Sequence, residues 1–135
     1  MYVHEVMTRG VITIERDASA AEAMKKMMDR RVTSLLVERG GTLDDYGIIT
    51  RKDLIDKVVA AGGNPHEVKV REIMSEPLLN INSNIRVENV ARLMAKTGIR
   101  RFPVLDNGQV VGLVSNSDII KAYALELMEA EGKQN

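Results

Sequence analysis

The chain has 135 residues, room for one conventional core or two very small ones sharing it, and its 44% hydrophobic and 28% charged content excludes a disordered polymer. Nineteen Lys and Arg balance 19 Asp and Glu, which argues against a nucleic-acid partner, while the absence of cysteine excludes disulfides, thiolate metal sites and a Cys nucleophile. No apolar run approaches the ~20 residues of a membrane span, and the first ten residues lack a signal-peptide core, so a cytoplasmic protein with no membrane partner is expected.

The first strand is expected at Val11-Ile12-Thr13-Ile14, a short β-branched run. Ser19-x-x-Glu22 then reads as a capping box, and Ala20, Ala23, Met24, Met27 and Met28 form the apolar stripe of an amphipathic helix. Leu35–Val37 is a second strand, Arg39-Gly40-Gly41 a turn and Gly47–Ile49 a third strand. A second helix follows, with Leu54, Ile55, Val58 and Val59 inward and Gly62-Gly63 at its end. Residues 61–66 read as a turn-rich linker. Beyond it, Leu79–Ile81 is a strand, and Val87, Val90, Ala91 and Met94 mark a helix. Phe102–Leu105, an Asn107-Gly108 turn and Val110–Val114 make a hairpin. A last helix starts after Ser115 and runs through Ile119 and Ile120 towards Met128, followed by a polar tail.

The two halves match. At a spacing of 67 residues Met7 meets Met74, Ile14 meets Ile81, Met27 meets Met94, Val37 meets Val104 and Gly41 meets Gly108. Two extra residues within 42–46 change the spacing to 65, at which Gly47 meets Gly112 and Asp53 meets Asp118. Each copy therefore reads as βαββα. The expected fold class is α/β (α+β), with two pseudo-two-fold-related repeats packed as one module. The division is residues 1–62 for repeat one, 63–71 for the linker, 72–130 for repeat two and 131–135 for the tail. Junctions between such copies favour ligand sites.

The sharpest motif occurs twice, as Gly47-Ile48-Ile49-Thr50-Arg51-Lys52-Asp53 and Gly112-Leu113-Val114-Ser115-Asn116-Ser117-Asp118. A hydroxyl where a strand hands over to a helix suits a phosphate, and an acid one turn later can accept hydrogen bonds from two ribose hydroxyls. The same spacing is that of a helix capping box, in which hydroxyl and acid satisfy the first-turn amides. Spacing alone leaves the two roles even.

With its βαββα pair, the Met7-Thr8 and Met74-Ser75 openings, Gly-Ile-Arg-Arg-Phe-Pro-Val at 98–104 and the two Gly-x-x-[Thr/Ser]-x-x-Asp segments, the chain resembles a tandem pair of CBS domains, the Bateman module. The resemblance spans about residues 3–126. It implies a regulatory module that binds AMP, ADP, ATP or S-adenosylmethionine between its repeats, dimerises and has no catalytic chemistry. Carried over residue by residue, it implies one site of Thr50 and Asp53 with Leu79, Asn80, Arg100, Arg101 and Pro103. It implies a second of Ser115 and Asp118 with Ile12, Thr13 and Thr33. The aspartates would take ribose and the hydroxyls would lie near the α-phosphate. Because copy two has Arg100-Arg101 where copy one has Thr33-Ser34, the Asp53 site is expected to prefer phosphate-bearing ligands.

Rival functions are weaker. The chain has no Gly-x-Ser-x-Gly elbow, no P-loop lysine pattern and no His-Glu-x-x-His, so no catalytic residues and no catalytic cofactor are expected. His4 and His66 lack partners at metal-ligand spacing, so no metal site is expected. The eight methionines read as adaptable core. A ligand-free dimerisation module, with the twin motifs acting only as caps, is the main alternative. Any regulated protein would be reached in trans.

Overall fold

The structure is a computed structural model that describes residues 1–42, 44–75 and 79–133. The chain divides into two compact units, one of Val11–Leu78 and one of Met1–Gly10 together with Leu79–Asn135.

In the first unit β1 (Thr13–Ile14) runs parallel to β2 (Ser34–Gly40), which pairs antiparallel with β3 (Asp45–Thr50). Between β1 and β2 lies α2 (Ala20–Arg30), which starts where Ser19 Oγ accepts from the Glu22 amide at 3.1 Å. Its inward face is Ala20, Ala23 and Met27, packed on Leu35, Val37 and Ile49 of the sheet. Leu35 and Ile49 have no solvent exposure, and burial of such a side chain contributes about 2 kcal/mol. After β3 comes α3 (Arg51–Leu54), continued by a π-helical turn over Ile55–Val59 in which the Ala60 amide reaches back to the Ile55 carbonyl at 2.8 Å. Gly62 and Gly63 close that helix by donating to Val59 and Val58 carbonyls, at 3.1 and 2.9 Å, a Schellman pattern.

The second unit repeats the plan. β4 (Ile81–Asn82) lies parallel to β5 (Arg101–Asp106), which pairs antiparallel with β6 (Gln109–Ser115). Between β4 and β5 sits α5 (Val87–Thr97), and α6 (Asn116–Lys133) follows β6. Asn107 and Gly108 both take positive φ, 53° and 76°, as a tight hairpin turn requires. Phe102, Val104, Val114, Val87 and Val90 form the centre of this core. On its rim the Tyr123 hydroxyl donates to Glu88 at 3.4 Å. The Glu88 carboxyl lies below its ordinary range, chiefly through a hydrogen bond from its own main-chain amide, against a smaller opposing effect of desolvation.

Two short helices complete the units, and no apolar periodicity announces either. They are α1 (Val3–Val6) and α4 (Val70–Ile73). α1 docks on the second repeat: the amides of Val3, His4 and Val87 donate to Ile85, Ser83 and Met1 carbonyls. α4 docks on the first repeat through the matching set, with Val70, Arg71 and Ala20 donating to Ala18, Arg16 and Val68. Every pair of that set lies 67 residues from its counterpart. Each repeat's opening segment thus completes the other repeat's fold, so the compact units do not follow the 1–62 and 72–130 division. The 63–71 stretch is held in the first unit, where the Ala21 amide also meets the Pro65 carbonyl at 2.9 Å.

Several sequence expectations are corrected. The first strand is two residues, not four, because β1 pairs with β2 only at Thr13–Leu36 and Ile14–Val37. Ile12 offers one carbonyl to the Leu36 amide at its entry. The strand expected at 79–81 begins at Ile81, leaving Leu79 and Asn80 exposed. Leu54 and Val58 point inward as expected, but Ile55 and Val59 are 57% and 60% exposed, since each lies one residue further around the helix, away from the sheet. Met28 and Ile120 are likewise exposed while Met27 and Ile119 are buried. The polar end expected from residue 131 is helical through Lys133.

Candidate functional site

The two Gly-x-x-[Thr/Ser]-x-x-Asp segments build the same local structure. In the first unit Thr50 is the last residue of β3 and the N-cap of α3. Asp53 Oδ2 accepts from the Thr50 amide at 2.9 Å and from the Thr50 hydroxyl at 3.0 Å, while the Asp53 amide donates to Thr50 Oγ1 at 3.2 Å. In the second unit Ser115 and Asp118 reproduce all three distances, 2.9, 3.0 and 3.2 Å. Both pairs are capping boxes, and both are half-buried. The structural role that spacing left open is therefore filled in both copies.

The motif glycine has a separate cause. A Cβ on Gly112 would lie 2.8 Å from the Thr8 carbonyl oxygen and 2.8 Å from Met7 Sδ; one on Gly47 would lie 2.7 Å from Met74 Sδ and 3.3 Å from the Ser75 carbonyl oxygen. The opening segments cross the strands here. Thr8 exchanges main-chain hydrogen bonds with Leu113 at 2.8 and 2.9 Å, and Ser75 does so with Ile48 at 3.0 and 2.9 Å. The Met-Thr and Met-Ser openings and the two motif glycines are thus partners in one contact, made twice.

What differs is the second carboxylate oxygen. Asp118 Oδ1 accepts from the Thr8 hydroxyl at 2.9 Å. Asp53 Oδ1 instead meets Lys57 Nζ at 3.2 Å, and the same ammonium donates to the Ile73 carbonyl at 2.8 Å. In each unit the outer oxygen is tied to the crossing segment, directly by a hydroxyl in one and through a cation in the other. Sequence reading missed both residues. Lys57 was legible as an acid–base pair at i, i+4, whereas Thr8 is 110 residues from its partner.

The remaining residues divide by unit. The Thr33 carbonyl accepts from the Arg51 amide, and the Arg100 carbonyl from the Asn116 amide, both at 3.0 Å. Across the strands Ser34 pairs with Thr50 and Arg101 with Ser115. Pro103 is buried in β5, while Ile12 and Thr13 are half-buried at the start of β1. The structure thus brings Thr33, Thr50 and Asp53 to one helix start, with Ile12 and Thr13 elsewhere in the same unit. It brings Arg100, Arg101, Ser115 and Asp118 to the other, with Leu79, Asn80 and Pro103 elsewhere in that unit. Among the described residues no cluster of His, Asp and Glu could hold a metal ion.

The CBS domain family model matches residues 3–60 and 70–125, one match for each repeat. The chain belongs to the CBS domain family. As a CBS pair it is 37% identical over 135 residues to protein MK0525 of Methanopyrus kandleri, covering 98% of this chain and 68% of that one. It is 32% identical over 117 residues to the CBS domain-containing protein YhcV of Bacillus subtilis, covering 87% and 81%. Among solved structures, a hexameric CBS-CP12 protein from bloom-forming cyanobacteria superposes with TM-score 0.82 at 41% identity, covering 89% of this CBS pair and 69% of that chain. The mixed α/β fold with two three-stranded sheets is the CBS-pair fold. No helix among the described residues is long and apolar enough to cross a membrane.

Proposed function

We propose that this CBS pair is a non-catalytic regulatory module that binds an adenosine ligand, AMP, ADP or ATP, and passes its occupancy to a partner protein in trans. The observation that supports this most is the twinned carboxylate. Each aspartate uses one oxygen to cap its helix and presents the other at a strand-to-helix junction, where a vicinal diol could replace or share its partner. Asp53 and Asp118 are the proposed ribose acceptors and Thr50 and Ser115 the residues nearest phosphate. Leu79, Asn80, Arg100, Arg101, Pro103, Ile12, Thr13 and Thr33 complete the proposed set. A ligand that favours one arrangement of the repeats would act by population shift.

The CBS pair is also proposed to form a homodimer. The first unit carries a hollow of about 480 Å³ whose lining includes Met28, Ile55 and Val59, all exposed apolar side chains. The hexameric state of the cyanobacterial CBS-CP12 protein supports self-association of this fold.

One observation favours a second reading. Because both capping boxes are made wholly by the protein's own groups, they would serve equally in a ligand-free dimerisation module. Thermal unfolding with millimolar AMP, ADP, ATP or S-adenosylmethionine separates the two. A ligand held only by the folded state at 100 times its Kd adds about 2.7 kcal/mol, and a rise in Tm with one or more of the nucleotides is expected. A rise with S-adenosylmethionine alone reassigns the ligand. No shift with any of the four leaves the dimerisation module standing.

A further inference from the structure

The two proposed ribose acceptors differ in charge. Asp118 is held by neutral groups, the Ser115 and Thr8 hydroxyls and a main-chain amide, and no ion pair reaches it among the described residues. Asp53 is paired with Lys57, one helical turn on, with its side chain only 13% exposed. The position in copy two that matches Lys57 is Ala122, so the cation belongs to one copy alone. Lys57 has a second tie, donating to the Ile73 carbonyl at 2.8 Å, so its ammonium is held from two sides.

We infer that Lys57 is a specificity-determining residue of the Asp53 site, the group that lets a carboxylate accept the sugar of a ligand that also carries phosphate. An ionised aspartate facing ribose repels the phosphate attached to the same sugar. An ammonium 3.2 Å from the acid offsets that charge while taking one lone pair of Oδ1, which leaves the other for a sugar hydroxyl. Lys57 thus selects for ligand charge and contributes little to recognition of the nucleoside itself. This rests on the adenosine-ligand reading above and goes beyond it by naming the residue that sets the preference.

The test compares AMP with adenosine, which share base and sugar and differ in charge. Calorimetry is done on the whole chain carrying Asp118→Asn, so that the Asp53 site is read alone. Adding Lys57→Met, which keeps the aliphatic stem, is expected to lower AMP affinity about 5-fold relative to adenosine, an effect that shrinks at high salt. Lys57→Arg is expected to restore the preference. An equal loss for both ligands, or no loss for either, overturns the inference and makes Lys57 a purely structural tie. If neither ligand binds the unsubstituted chain, the adenosine reading itself fails and Lys57 with it, an outcome distinct from binding with an unchanged preference.

Discussion

At residue scale, Asp53 and Asp118 satisfy helix-start groups that would otherwise face half-buried surroundings without partners. Replacing such a cap by Ala costs about 1 kcal/mol, so Asp118→Ala lowers stability as well as any ligand affinity. Asp118→Asn keeps an acceptor for the Ser115 amide and hydroxyl and is expected to retain most of that stability in urea unfolding. A binding loss measured on the Ala variant alone would therefore confuse two effects. The cap could be read from the Thr-x-x-Asp and Ser-x-x-Asp spacing, because capping is local. The outer-oxygen partner of Asp118 could not, because Thr8 reaches it through tertiary packing.

At the scale of elements, the crossing segments are the distinctive device. Thr8 and Ser75 each add a two-bond bridge to a strand edge, and each needs a glycine opposite. The two glycines differ in what a methyl group would strike. At Gly112 a main-chain oxygen lies 2.8 Å away, whereas at Gly47 the nearest atom is the sulfur of a flexible methionine and the carbonyl oxygen is 3.3 Å off. Gly112→Ala is expected to destabilise by roughly 1–3 kcal/mol and Gly47→Ala by less, since Met74 can move and a main-chain carbonyl cannot. Chemical denaturation of the two variants checks the order. The sequence marks both glycines as part of a motif but leaves their reason hidden, because their partners lie in the other repeat's opening.

At the scale of the molecule, the helices present more apolar surface than one chain covers. Ile55 and its counterpart Ile120 are 57% and 70% exposed at matched positions of the two repeats, and Met28 and Leu127 are exposed too. Scattered apolar residues are ordinary, but a duplicated one beside a hollow is a feature of the fold. If the proposed homodimer closes over this face, Ile55→Glu leaves the monomer folded and halves the mass measured by light scattering on a column, because a carboxylate buried at an apolar interface is unpaired. An unchanged mass would exclude this face from the proposed homodimer.

The 67-residue spacing and the hydrophobic patterning were sufficient to establish two copies of βαββα, because both are recorded in the order of residues. The helix caps were legible for the same reason. Two things were decided only in three dimensions. One is that α1 joins the second repeat and α4 the first, through bonds such as Val3 to Ile85 that no local pattern records. The other is which side of an apolar stripe meets the sheet. Periodicity identifies Leu54, Ile55, Val58 and Val59 as a group, but only the angle at which the helix lies on its sheet buries the first and third and leaves the others to solvent.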